Sequence, residues 1–115
     1  MRRGDIWIVE FEPSRGAEAN KTRPAVLVSN DAANMTARRL GRGVVTVVPV
    51  SSNVDRIYPF QVLLPAEATG LARDCKAQAE QVRAVAVERL RERRGTLSRA
   101  ELQELDHALR LHLAL

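Results

Sequence analysis

Soft metal ligands are scarce in this chain of 115 residues: there is one cysteine, Cys75, and two histidines, His107 and His112. A single cysteine excludes an intrachain disulfide. The two histidines are five apart, the wrong step for one helix face, and no zinc-type spacing occurs. Chemistry that needs a metal or another cofactor held by His or Cys is therefore not expected. Aromatics are just as rare: Trp7, Phe11, Tyr58 and Phe60 are the whole set. Four are too few for an aromatic-rich base-stacking surface. No apolar run approaches the roughly 20 residues that span a bilayer. The opening MRRGDIWIVEFEP is basic, yet its only continuous apolar run is IWIV. That is too short for a signal peptide. A cytoplasmic protein with no membrane contact is expected.

What the chain does have is apolar content and arginine. Apolar residues make up 45% of it, enough for a globular fold. The length suits one domain, residues 1–115, with one modest core. Eighteen basic residues face fourteen acidic ones, a net charge of +4, and all but Lys21 and Lys76 are arginine. Arginine meets phosphate with a planar, forked set of donors, so this balance suits a nucleic-acid partner. A GC-rich genome would also favour arginine over lysine, and composition alone does not separate the two.

Short strands dominate the pattern. IWIVEFE (6–12) alternates, with Trp7, Val9 and Phe11 on one face. PSRGAEANKTR (13–23) reads as a polar surface loop. PAVLVS (24–29) reads as a buried strand, its leading proline placed where a missing N–H is tolerated. DAANMTARRLGRG (31–43) holds a helical turn ending at a glycine. VVTVVPVS (44–51) is the strongest strand, with Pro49 marking an edge or a bend. FQVLLP (60–65) is another, closed by Pro65.

The C-terminal helix carries the clearest local signal. Ser98 and Glu101 form a capping box, and Leu97 and Leu102 a hydrophobic staple across it. Leu102, Leu105 and Leu109 make an apolar stripe that Leu113 continues. His107 and His112 on this helix read as surface residues. AQAEQVRAVAVERLRER (77–93) is ambiguous: its Ala, Gln, Glu and Arg favour helix, while Val82, Ala84 and Ala86 alternate as in a strand. RLRERRG (89–95) reads as a solvated charge run. Short strands without βαβ spacing point to a β-rich α+β domain, a compact barrel or sandwich.

Four blocks, in order, resemble the MazF/PemK family of bacterial toxins: RGDIWIVEFEPSRGAEANKTRPAVLVSND, VVTVVPVSSN, YPFQVLL and AEQVRAVAVERL. Together they cover essentially the whole chain. The resemblance implies an SH3-like β-barrel with a C-terminal α-helix, usually a homodimer. It implies metal-independent, sequence-selective cleavage of single-stranded RNA, and a cognate antitoxin protein that blocks the site. It also implies strands within 77–87, with a short helical turn near 88–90.

Cleavage of RNA by its own 2′-OH needs a proton removed from that hydroxyl, a stabilised phosphorane, and a proton delivered to the 5′-oxygen. By resemblance, Arg23 is the catalytic arginine, and its fork can clamp two phosphate oxygens. Arginine hardly deprotonates in proteins, so electrostatic stabilisation is its role. Ser51 stands where the family carries a catalytic threonine; it keeps the hydroxyl and loses a methyl. Ser52 is the alternative if the register is shifted by one. The polar loop resembles a flap in which Glu18, Asn20 and Lys21 touch RNA or antitoxin. Ser52, Asn53, Cys75, Gln78 and Gln81 match base-contacting positions, although Cys75 also reads as a small packed residue. Glu18, Asp31, Glu80 and a substrate-assisted water are open as the general base.

Two rivals come from other classes. A gyrase-poisoning toxin of the CcdB type shares the fold, but that subgroup uses a tryptophan near its C-terminus, and this chain ends LHLAL with its one tryptophan at position 7. A non-catalytic RNA-binding SH3-like module is the other; the serine in place of threonine keeps it in play.

Overall fold

The computed structural model describes residues 1–12 and 21–115. β1 (Asp5–Glu12) and β2 (Lys21–Leu27) form an antiparallel pair with Ile8 opposite Pro24 and Val9 opposite Arg23. The expected alternation of β1 holds. Val9 and Phe11 enter one apolar cluster with Trp7 packed against it, while Ile6 points into another. β2 corrects two expectations. The strand begins at Lys21, so the loop does not extend to Arg23, and Pro24 is its fourth residue rather than its first. Most of the polar loop lies outside the described residues.

The 31–43 segment is a full helix, α1 (Asp31–Leu40), rather than a turn. Asn30 caps it by accepting from the Ala33 N–H at 2.8 Å, and Gly41 ends it. Its buried Asn34 donates to the Ser29 carbonyl at 2.8 Å and accepts from the Ser29 hydroxyl, so a polar side chain sits in the interior without losing its partners.

β3 (Val44–Ser51) has the expected bounds and the densest run of buried residues, Val47 through Val50. It is no edge. β2 pairs along one side, from Leu27 opposite Val47 to Ala25 opposite Pro49. On the other side β6 (Arg83–Ala86) covers Val44–Val47, and β5 (Cys75–Gln78) covers Val50 and Ser51. Pro49 falls in the gap between those two partners, where a missing N–H leaves no ladder bond unmade. The bend reading of Pro49 is the one that holds.

β4 (Gln61–Leu64) pairs with β5, and Pro65 leads into a one-turn helix, α2 (Ala66–Thr69). Beyond it, the helix-favouring composition of 77–93 is overridden. The segment contributes to β5, then a 3₁₀ turn at Ala79–Gln81, β6, a second 3₁₀ turn at Val87–Arg89, and the start of β7 (Leu90–Thr96). The second turn lies near the expected position; the first was not foreseen. Burial accounts for the outcome: Ala77 and Val85 are buried on β5 and β6, and Ala79 and Val87 at the first positions of the 3₁₀ turns that follow them. The charge run 89–95 is solvated as expected, and it is also a strand.

The sheet order is β4-β5-β3-β2-β1-β7, with β6 on β3. β4 and β7, its two ends, share no ladder among the described residues. There α2 meets β7 instead. A Cβ on Gly95 would stand 2.1 Å from the Thr69 carbonyl oxygen, and one on Gly70 3.3 Å from the Arg94 carbonyl oxygen. These two glycines let backbone approach backbone.

Two apolar clusters fill the curved sheet. α3 (Arg99–Leu113) covers the one built on Ile6, Val26, Val48, Val62 and Leu64. Its capping box is complete: the Glu101 N–H donates to the Ser98 hydroxyl at 3.1 Å, and the Ser98 N–H to the Glu101 carboxylate at 2.8 Å. Leu105 is fully buried, a burial that stabilises by about 1.5–3 kcal/mol. Leu102 and Leu109 pack beside it. Leu113 does not continue the stripe. It is exposed, as are Leu111 and Leu115, because the last turn lies beyond the core cluster. His107 and His112 are exposed. Among the described residues no helix is long and apolar enough to cross a membrane.

Candidate functional site

The ladder between β2 and β3 stops at Ala25 and Pro49. Pro24, the next residue of β2, carries no N–H with which to extend it. Continued by two residues, the same register brings Arg23 level with Ser51. The strand ends open there into a cleft of about 390 Å³. Arg23, Ser51, Ser52, Asn53, Leu71, Ala72, Arg73 and Cys75 line it. Because β3 lies between β2 and β5 in the sheet, Arg23 comes from one flank of the β3 exit and the 71–75 segment from the other. Pro24 and Val50 complete its lining.

Local hydrogen bonds hold the β3 exit. The Asn53 N–H donates to the Ser51 hydroxyl oxygen at 3.1 Å, and the Asp55 N–H donates to the Asn53 side-chain oxygen at 3.1 Å. Such short-range bonds are what Ser and Asn supply at turns. They engage Ser51 as an acceptor and leave its O–H free to donate. Ser51 is half-buried; Ser52 is exposed and makes no such bond among the described residues. Further along, the buried Lys76 donates to the Arg56 carbonyl at 2.8 Å, tethering the 52–60 segment to β5. Tyr58 and Phe60 stack with centroids 5.3 Å apart, and Arg56 lies over the Tyr58 ring.

The opposite wall is equally fixed. Asp74 accepts from the Ala66 N–H at 2.9 Å, tying the segment before β5 to the start of α2. The Cys75 thiol faces the Arg73 carbonyl at 3.4 Å. Burial pushes the Cys75 thiol up from its ordinary range; the nearby Arg73 guanidinium draws it down, and Asp74 raises it. Burial dominates, so Cys75 stays a protonated, packed thiol and no nucleophile.

Of the residues singled out in the sequence, the cleft gathers Arg23, Ser51, Ser52, Asn53 and Cys75. Gln78 and Gln81 stand outside its lining. Gln78 ends β5 opposite Gln61, and Gln81 is exposed on the first 3₁₀ turn. Glu18 and Asn20 lie outside the described residues, and Lys21 opens β2. Two candidate bases are engaged elsewhere. Asp31 accepts from the Arg3 N–H at 2.7 Å, and Glu80 accepts from the Gln61 amide at 2.5 Å. No carboxylate lines the cleft among the described residues. Arg73 was missed by sequence reasoning. It is one arginine among sixteen, and only its place across from Arg23 distinguishes it.

The chain is similar to known proteins along its whole length. It is 65% identical to Endoribonuclease MazF9 of Mycobacterium tuberculosis (strain ATCC 25618 / H37Rv), over all of this chain and 98% of that protein. Its fold superposes on the Mycobacterium tuberculosis toxin MazF-mt6 with a TM-score of 0.77 and 21% identity, covering 96% of this chain and 97% of the other. A MazE–MazF crystal structure from Deinococcus radiodurans matches with a TM-score of 0.76 and 25% identity, over 100% of this chain and 96% of that one. Residues 2–113 match the family described as PemK-like, MazF-like toxin of type II toxin–antitoxin system. The chain belongs to that family.

Proposed function

We propose that this MazF-type toxin endoribonuclease cuts single-stranded RNA in the Arg23 cleft, without a metal. The observation that carries the reading is the opening of the β2–β3 ladder, which sets a half-buried hydroxyl, Ser51, level with an exposed guanidinium, Arg23.

The substrate brings its own nucleophile. The 2′-oxygen forms a bond to phosphorus, its proton leaves, and the bond from phosphorus to the 5′-oxygen breaks as that oxygen takes up a proton. The products are a 2′,3′-cyclic phosphate and a 5′-OH fragment. Arg23 supplies forked donors to the non-bridging oxygens, where charge builds up on the way to the phosphorane. Ser51 donates its free O–H to the same phosphate. No general base is assigned to a residue. Ser52, Asn53 and Cys75 face the bound nucleotide. Glu18, Asn20, Lys21, Gln78 and Gln81 contact the strand or the antitoxin beyond the cleft.

Residues 1–115 act as one toxin domain in the cytoplasm, as a homodimer and away from membranes. A cognate antitoxin silences it by covering the cleft; the reading is supported by similarity to an endoribonuclease solved in complex with its cognate antitoxin from a mycobacterial species and to a MazE–MazF structure from Deinococcus radiodurans. The discriminating experiment incubates the purified protein with a long single-stranded RNA in EDTA, beside Arg23→Ala. Discrete cuts with 5′-OH ends, absent in the variant, are expected. No cuts on varied RNAs would sink the reading and send the protein to a gyrase-binding assay.

A further inference from the structure

We propose that Arg73 is a second phosphate-binding residue, holding the RNA backbone from the wall opposite Arg23. The inference rests on the cleft being the RNA site, and it goes beyond that reading by naming the group that grips the strand outside the reacting phosphate.

Three observations carry it. First, Arg73 lines the same cleft as Arg23, from a different part of the chain. Arg23 comes from β2 and Arg73 from the segment between α2 and β5. A strand lying in the cleft therefore meets an arginine from each flank of the β3 exit. Second, the backbone that presents Arg73 is anchored on both sides. Gly70 turns the chain at φ 78°, a conformation side-chain-bearing residues rarely adopt, and the Leu71 N–H reaches the buried Thr69 hydroxyl at 3.4 Å. On the other side, Asp74 is bonded to the Ala66 N–H at 2.9 Å. A long, exposed side chain on an anchored backbone is a preorganised contact rather than a trailing charge. Third, the acid next in sequence is spent elsewhere. Asp74 caps α2, and among the described residues no ion pair engages Arg73. The Arg73 guanidinium lies near enough to Cys75, which also lines the cleft, to draw the thiol down.

The fork of a guanidinium matches two oxygens of a phosphodiester. The same fork can also meet O6 and N7 of guanine, so the cut positions are what separate the two contacts. A phosphate contact carries no sequence information, and removing it leaves those positions unchanged.

The test is equilibrium binding of a short, mixed-sequence 2′-O-methyl RNA, which keeps the phosphates and lacks the attacking hydroxyl. Wild type, Arg73→Ala, Arg73→Lys and Arg39→Ala are titrated across a salt series, and each is checked for unchanged thermal unfolding. Arg39, exposed on α1, controls for loss of a generic positive charge. Arg73→Ala is expected to bind about tenfold more weakly. Its salt dependence should flatten by about 0.7 in the log–log slope, the share of one single-strand phosphate contact. Arg73→Lys should recover most of both. Cleavage by Arg73→Ala should fall chiefly through KM, at unchanged cut positions. Unchanged affinity and slope in Arg73→Ala, with Arg23→Ala dead in cleavage, would overturn the Arg73 proposal alone. Equal losses in Arg39→Ala, or altered cut positions in Arg73→Ala, would overturn it as well. If Arg23→Ala cuts like wild type, the cleft reading falls, and this inference with it.

Discussion

Two regions of this molecule are rich in arginine, and they use it in opposite ways. β7 carries Arg91, Arg93 and Arg94, with Arg89 just before it. Each has a partner. Arg91 pairs with Glu10, Arg93 with Asp5 at 3.6 Å, and Arg94 with Glu92 at 2.7 Å, while Arg89 donates to the Glu10 carbonyl at 3.2 Å. In the cleft, Arg23 and Arg73 share a wall-to-wall space that no carboxylate lines among the described residues. β7 is an edge strand, and its register against β1 slips between Ile6 and Trp7 and again between Ile8 and Val9. The slips leave Arg94 and Arg91 as extra residues. Bulges and charge are how natural sheets blunt an exposed edge. Arginine on β7 is paired along a sheet edge, and arginine in the cleft is what we propose meets an anion. Net charge counts both alike; the partner decides the role.

The cleft side of the comparison breaks hardest at Arg23. Arg23→Ala should lower kcat/KM by about 10³-fold, roughly 4 kcal/mol of transition-state stabilisation. The residue is exposed just past the end of the β2–β3 ladder, so the thermal unfolding midpoint should not move. Arg23→Lys should recover little, because a point charge cannot reproduce the fork. Single-turnover cleavage of a defined RNA reads both variants. A wild-type rate in Arg23→Ala would remove the cleft from the mechanism.

The β7 side breaks at a glycine, not at an arginine. Gly95→Ala places a Cβ where the Thr69 carbonyl oxygen already stands, 2.1 Å away. The obstacle is backbone, so it cannot rotate aside. A loss of about 3 kcal/mol in a urea titration is expected, the upper range for overpacking. An unchanged midpoint would show that α2 and β7 separate freely. The sheet would then have no need of this contact between its ends.

How much of this was legible beforehand follows the same divide. β3 could be bounded from VVTVVPVS because five valines and a closing serine leave little else possible, and the α3 capping box is a local device written in two residues. Arg23 and Ser51 were reachable because a resemblance marked them. Residues 75–96 were harder. Their strands are short, their alternation is interrupted by two 3₁₀ turns, and residues such as Ala, Gln and Glu favour helix until burial decides. Arg73 was illegible for a different reason. Nothing local separates it from fifteen other arginines; only the fold sets it opposite Arg23. The same holds for Leu113, whose place in the heptad-like stripe is sound and whose exposure depends on where the core beneath it ends.

Ser51 sharpens the cleft half of the comparison. Ser51→Ala should slow cleavage by about tenfold, the size of one hydrogen bond to a charged group. Ser51→Thr should cut at least as well as wild type, since it restores a β-branched strand residue and keeps the hydroxyl. The same single-turnover assay applies, with 5′-OH ends mapped. A neutral Ser51→Ala would pass the role to Ser52, whose exposed hydroxyl lines the same cleft.

The smallest effect tests whether β7 is as occupied as its ion pairs suggest. Arg91 is half exposed beside Glu10, and such surface pairs are worth no more than about 1 kcal/mol. Arg91→Ala should therefore cost under about 1 kcal/mol in stability, and less in high salt. The sharper readout is RNA binding across a salt series. An arginine already neutralised by a carboxylate displaces no counterions from RNA, so its removal should leave the log–log salt slope where it was. If Arg91→Ala flattens that slope, Arg91 leaves Glu10 for the phosphates, and the edge strand becomes part of the RNA path. The division between protecting and binding arginines would then fail at the strand that defines it.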